Sequence, residues 1–231
     1  MAIYNDISGI LLADKPGQIT SFKTVHKIKK ILNVKKTGHC GTLDPAATGL
    51  LIVLVGKATK LQDKFMKQDK VYRSSFLLGT ITDSGDLDGK VLELKDASLV
   101  TEEGVKKALK KFEGEIFQIP PMFSALKING KKLCDLARKG IEVERAPRKI
   151  TIKKIELLSF KDNIADVRVE CSSGTYIRTL AEDVGKILGC GATVAKLRRE
   201  KIGNFNVADA VLPQDLDNKE ILEAKLIQTV F

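Results

Sequence analysis

Between Gly38 and Gly49 the chain reads Gly38-His39-Cys40-Gly41-Thr42-Leu43-Asp44-Pro45-Ala46-Ala47-Thr48-Gly49, and the apolar run Leu50 to Val55 follows at once. No other passage restricts the fold as much. Gly38, Gly41 and Gly49 permit backbone angles closed to other residues. Pro45 pushes Asp44 out of the helical region toward an extended conformation. A segment punctuated in this way is a structured loop, not a helix or a linker. The apolar run after it reads as a buried strand. Asp44 is therefore held at a fixed orientation on a rigid loop beside a sheet, where catalytic groups are often placed. Taken alone, an Asp-Pro pair is also an ordinary turn initiator, and both readings stand at this point.

The rest of the chain alternates strands and helices. Gly9 to Ala13 is a short apolar run ending in the turn Asp14-Lys15-Pro16-Gly17. Thr20 or Ser21 can cap a helix whose apolar residues Phe22, Val25, Ile28 and Ile31 recur every three positions, with Lys23, Lys27 and Lys30 opposite. Helix is expected over Ala58–Gln68, with Leu61, Phe65 and Met66 inward, and strand over Val71–Ile81, with Tyr72, Ser74, Phe76 and Leu78 on one face. Thr82 to Gly89 is an acidic turn followed by a partner strand, Val91–Leu94. Thr101 caps a helix with Val105, Ala108, Leu109 and Phe112 inward, and two prolines keep Gly114–Pro121 extended. Lys132–Lys139 is a short helix. Ile150–Phe160 and Ala165–Cys171 read as strands, Gly174–Leu188 as a helix with Ile177, Leu180, Val184, Ile187 and Leu188 inward, Thr193–Leu197 and Ile202–Val207 as strands, and Glu220–Ile227 as a last helix. Strands in runs separated by helices argue an α+β fold around an antiparallel sheet.

Charge points to the partner. The 231 residues hold 39 Lys and Arg against 29 Asp and Glu, a formal net charge of +10, and the pI is near 9.4. Such an excess favours a polyanion, because each neutralised phosphate releases a condensed counterion. Basic residues gather in three sets: Lys23, Lys27, Lys30, Lys35 and Lys36; Lys131, Lys132, Arg138, Lys139, Arg145 and Arg148; and Arg198, Arg199 and Lys201. The four cysteines fit no zinc ribbon, and with only two histidines a metal site is not expected. They read as reduced thiols of a cytoplasmic protein. Met1 to Ile10 shows no signal pattern and no apolar run is long enough to span a bilayer.

The loop from Gly38 to Gly49 resembles the signature of the TruB family of pseudouridine synthases, which act on the uridine at position 55 in the T-arm loop of tRNA. Other blocks resemble that family in the same order: Lys15-Pro16; Lys70-Val71-Tyr72-Arg73; Leu78-Gly79; Thr82 to Gly89; Pro120 to Lys127; Gly130 to Gly140; Cys171 to Leu180; and Leu197-Arg198-Arg199. Together they cover residues 9 to 210. The resemblance implies the pseudouridine synthase fold, α+β with a mixed, largely antiparallel sheet, flanking helices and a central active-site cleft. It implies one catalytic domain over residues 1–231, without the small C-terminal RNA-binding domain of the PUA type that many bacterial members carry.

It also implies roles. Asp44 matches the catalytic aspartate, the nucleophile on a flipped-out uridine, whether it acts at the base or at the sugar. The reaction oxidises and reduces nothing, so no cofactor is expected. Arg178 matches an arginine that pairs with that aspartate. An arginine in the first turn of a helix opposes the helix dipole, so something other than helix stability favours it there. Tyr72 matches a tyrosine that stacks on the target base, Tyr176 and Leu197 match pocket-lining positions, and His39 matches a residue that helps hold the base flipped out. For Leu197 plain core packing is a nearly equal reading. Lys15 either contacts RNA or supports the loop, and His26 reads as surface. Cys40, Phe123 and Cys134 depart from the usual residues of their blocks. The expected partner is the T-arm stem-loop of tRNA, bound by a monomer. An RNA-binding protein without catalysis is the alternative from another class, and the presence of Asp44, Tyr72 and Arg178 together counts against it.

Overall fold

The computed structural model describes residues 4–128 and 130–228, Lys132 by its backbone alone. In chain order, the first half holds β1 (Gly9–Lys15), α1 (Ser21–Ile31), β2 (Thr37–His39), β3 (Thr48–Val55), α2 (Gln62–Met66), β4 (Lys70–Leu78), β5 (Thr80–Thr82), β6 (Val91–Leu94), α3 (Glu102–Lys110) and β7 (Gly114–Gln118). Then come β8 (Lys127–Ile128), β9 (Lys131–Lys132), α4 (Leu133–Ala137), β10 (Arg148–Lys161), β11 (Ile164–Cys171), α5 (Ile177–Leu188), β12 (Ala192–Ile202), β13 (Phe205–Asn206) and α6 (Lys219–Ala224). The chain forms two units, Met1–Tyr72 with Arg198–Phe231, and Arg73–Leu197.

In the first unit β3 is apolar along its length because both of its faces are covered. Leu51, Val53 and Val55 cluster with Leu11 and Ala13 of the antiparallel neighbour β1, with Val25, Ile28 and Leu32 around α1, and with Leu222 of α6. Leu50, Ile52 and Leu54 cluster instead with Ile10, Leu12, Phe65 and Ile202. Burying a side chain of this kind stabilises by about 1.5–3 kcal/mol. β2 lies antiparallel to β3, and β12 joins β3 in parallel at Arg198↔Thr48 and Arg199↔Gly49. Thr20, not Ser21, caps α1: its Oγ1 accepts from the Lys23 N–H at 3.1 Å.

In the second unit β11 and β10 form an antiparallel hairpin, with β7 on the far side of β10. Asp162 and Asn163 turn the hairpin with φ of 51° and 58°, the left-handed pair that matches strand twist in a two-residue turn. Ile150, Ile152, Ile155, Val167 and Val169 are buried from the sheet, as are Val105, Ala108 and Leu109 from α3 and Ile177, Leu180 and Val184 from α5. Gly189 ends α5 with φ of 82°. β5 and β6 form a separate ribbon.

Several expectations change. The helix read over Ala58–Gln68 is a 3-10 turn, Gly56–Leu61, followed by the five residues of α2. Thr193–Leu197 and the residues to Ile202 are one continuous strand, β12, because the charged residues between them find partners described below. Strand pairing ends soon after, with β13 and a short 3-10 turn in place of a strand to Val207. Phe22, Met66 and Ile187, expected inward, are 71%, 43% and 44% exposed. Phe22 and Ile187 lie at the edges of apolar stripes already filled by Val25 and Ile28, and by Leu180 and Val184. Met66 closes a helix too short to turn it inward.

Candidate active site

The loop from His39 to Thr48 is fixed from several directions. Ser21, freed from capping, is buried and holds Leu43 both ways: its Oγ donates to the Leu43 carbonyl at 3.1 Å and accepts from the Leu43 N–H at 2.9 Å. Lys15 is fully buried, and its Nζ donates to the carbonyls of Pro16, Ile19 and Pro45 at 2.8, 2.7 and 3.1 Å. Lys15 therefore supports the loop. Arg199, 1% exposed, donates from Nε to the Leu50 carbonyl and from Nη2 to the Gly41 carbonyl at 2.9 and 3.0 Å. Gly49 has φ of 105°, and a Cβ there would lie 2.3 Å from the Arg199 carbonyl oxygen, so the parallel pairing with β12 requires glycine. The Ala47 N–H donates to the Asp44 carbonyl at 3.1 Å and closes the turn. Asp44 itself is half-buried on this frame.

The electrostatics are cationic. Burial pulls the Lys15 ammonium down to about 8 from its ordinary 10.5, with Asp44 opposing that fall and Arg199 adding to it. Lys15, Asp44 and Arg199 thus share one field, in which the Lys15 ammonium and the Asp44 carboxylate attract one another. Burial and then Arg199 lower the His39 imidazole below its ordinary value, which favours the neutral ring near pH 7. Burial pushes the Cys40 thiol up to about 12, so this departure from the loop pattern introduces no thiolate. Tyr72 is buried on β4 of the same unit.

Tyr176, Arg178 and Leu197 belong to the second unit. Arg178 is 4% exposed, not a solvated first-turn arginine. Its Nη1 donates to the Ser84 carbonyl at 2.7 Å and its Nη2 to the Phe123 carbonyl at 2.6 Å, while Nε lies 3.7 Å from Asp86 Oδ2. Asp86 is oriented in turn by Ser84 Oγ, which donates to it at 2.5 Å. The acidic turn Thr82–Gly89 is thus a cradle for Arg178. Tyr176 is half-buried at the start of α5, and the buried Gln118 clamps its backbone: Nε2 donates to the Tyr176 carbonyl at 3.0 Å and Oε1 accepts its N–H at 2.8 Å. Leu197 is half-buried on β12. Sequence reasoning missed Ser21, Gln118 and the cradle. A Thr-Ser pair before a helix offers one hydroxyl more than a cap needs, which is the only local signal for any of them.

One basic set is corrected. Arg199 is buried in loop bonds and is closed to phosphate, whereas Arg198 makes a two-pronged pair with Asp14, at 2.6 and 3.0 Å, with its side chain 40% exposed. Lys23, Lys30, Lys35, Lys36, Lys131, Arg138, Lys139 and Arg148 are exposed, and the Lys132 side chain lies outside the described part of the structure. Among the described residues, no group of His, Cys, Asp and Glu is arranged to hold a metal ion, and no helix is long and apolar enough to cross a membrane.

Asp44 is thus carried on a rigidly held loop under a lysine field, and in the other unit Arg178 is deeply cradled. The comparisons define the class of protein. Residues 29–177 match the TruB family pseudouridylate synthase N-terminal domain, and residues 178–230 match the tRNA pseudouridylate synthase B C-terminal domain. The tRNA pseudouridine synthase B of Endomicrobium trichonymphae is 66% identical over 97% of this chain and 97% of its own length. The enzyme of the same name from Clostridium tetani is 49% identical over 94% of this chain and 75% of its own length. Among solved structures, a Cbf5-Nop10-Gar1 complex matches with a TM-score of 0.72 and 32% identity over 93% of this chain, which spans 55% of that one. An H/ACA RNP bound to a substrate RNA containing 2'-deoxyuridine matches with a TM-score of 0.69 and 29% identity over 94% of this chain, again 55% of that one. The fold is that of the pseudouridine synthases. The chain belongs to the TruB family of tRNA pseudouridylate synthases.

Proposed function

We propose that this chain isomerises the uridine at position 55, in the T-arm loop of tRNA, to pseudouridine, with Asp44 as nucleophile on the flipped-out uridine. The net reaction breaks the C1′–N1 bond and forms a C1′–C5 bond. The proton on C5 leaves and N1 gains one, so no oxidant or reductant is consumed. The observation that carries this reading is the aspartate loop: Asp44 stands on a frame fixed by Ser21, Lys15 and Arg199, with a buried ammonium favouring its ionised form. A preorganised nucleophile loses little freedom on reaching the transition state.

Around it, Arg178 is the cation that pairs with the nucleophile, and Tyr72 stacks on the target base, since an extruded base needs such a surface. Tyr176 and Leu197 line its pocket, and the neutral His39 ring packs against the RNA loop. Exposed lysines and arginines of the first two basic sets hold phosphates, which fix register and not sequence. The protein acts as a monomer in the cytoplasm. The test is incubation with an unmodified tRNA transcript tritiated at uracil C5. One equivalent of tritium released, with the product mapped to the T-arm loop, is expected. Tight binding without release would overturn the reading in favour of an RNA-binding protein.

A further inference from the structure

Helix α1 carries two aromatic rings on its solvent side. Phe22 is 71% exposed and stacks on His26 one turn further on, with ring centroids 5.8 Å apart and planes only 13° apart. A phenylalanine left this open forgoes the burial that usually favours it. The surrounding chemistry is basic. α1 bears Lys23, Lys27, Lys29 and Lys30 and no acidic residue. Helical spacing puts Lys29 and Lys30 one turn beyond His26 on the face that carries both rings, and Lys23 and Lys30 are exposed. Lys27 is tied to Asp217 at 2.7 Å. Ser21, immediately before Phe22, is the residue that bonds Leu43 of the aspartate loop from both sides. The exposed ring is therefore one residue away from a rigid attachment to the segment that carries Asp44.

We propose that Phe22 and His26 form a stacking platform for an unpaired base of the RNA substrate, with Lys23, Lys29 and Lys30 on its flanking phosphates. This rests on the RNA-modifying reading above and adds a base-contact point outside the residues assigned there. Lysine is depleted from the cores of protein interfaces, so four lysines around an open ring do not suit a protein partner. An aromatic face with cations beside it is how single-stranded nucleic acid is held without sequence readout.

The chain has no tryptophan, so Phe22→Trp installs one fluorophore at the platform. Its emission should be quenched, saturably, on titration with unmodified tRNA. Phe22→Ser should weaken tRNA binding about tenfold while leaving the dependence of affinity on salt unchanged, because stacking releases no counterion. Lys29→Gln with Lys30→Gln should instead flatten that dependence, by roughly 0.7–0.9 in log–log slope for each phosphate left without its cation. Thermal unfolding of each variant checks the fold. Absence of quenching, or wild-type affinity in Phe22→Ser, overturns the platform. Tritium release by wild-type protein in the same samples separates the two claims. Its failure sinks the functional reading, whereas release with an unquenched Trp sinks the platform alone.

Discussion

Lys15 and Arg199 are 0% and 1% exposed, and each holds backbone carbonyls of the loop that carries Asp44. Burying an unpartnered cation costs several kcal/mol. Here the donors meet acceptors, and the charge also acts on the carboxylate. Lys15 titrates near 8 when folded and near 10.5 when unfolded, because burial opposes its charged form more strongly than Asp44 supports it. Between those values the unfolded chain binds more protons, so the Lys15 contribution to stability rises with pH. Turnover should move the other way. A neutral amine has two donors for three carbonyls and no charge to offer Asp44. We expect kcat to fall with one ionisation near pH 8. The unfolding free energy of the wild type, measured against Lys15→Met, should meanwhile rise from pH 7.5 to 9.5. A kcat that stays level to pH 9.5 would remove Lys15 from the account.

Among the elements, α5 shows how a residue at a strand end fixes the start of a helix. Tyr176 begins α5 without a side-chain cap, and Gln118 at the end of β7 fixes its backbone instead. Gln118→Leu would strand a buried N–H and a carbonyl, at about 1–3 kcal/mol, and free the turn that presents Tyr176 and Arg178. The expected result is a lower melting temperature and a kcat reduced at least tenfold, with KM for tRNA changed less. Gln118→Glu, which keeps the acceptor, should recover part of that loss. Wild-type kcat in Gln118→Leu would contradict the clamp. Most elements were legible in the sequence: the apolar run Leu50–Val55, the capped helix after Thr20 and the strands of the β10–β11 hairpin follow from local pattern. The family's motifs named Asp44 and Arg178. What local pattern cannot carry is the partner of a buried polar group. Arg198 and Arg199 interrupt an apolar strand on paper, but β12 runs through them because Asp14, Leu50 and Gly41, far away in the chain, accept their donors. The role of Gln118, and the bond from Ser21 to Leu43, were hidden for the same reason.

At the scale of the molecule, the formal net charge is +10; buried cations such as Lys15, Arg178 and Arg199 are included in it, and the exposed lysines and arginines are those proposed to meet phosphate. Affinity for tRNA should fall steeply between 50 and 200 mM salt, with a log–log slope of about −3 or steeper if four or more phosphates are engaged. A shallow slope would remove those residues from the interface. The proposed function turns on one carboxylate, that of Asp44. The most direct test is tritium release from C5-labelled tRNA by wild type and by Asp44→Asn, with tRNA affinity measured on both. The account predicts one equivalent released by the wild type and none by Asp44→Asn, with affinities within about tenfold, since one carboxylate contributes little to phosphate contact. Release by Asp44→Asn at a rate near that of the wild type would show that another group attacks the substrate.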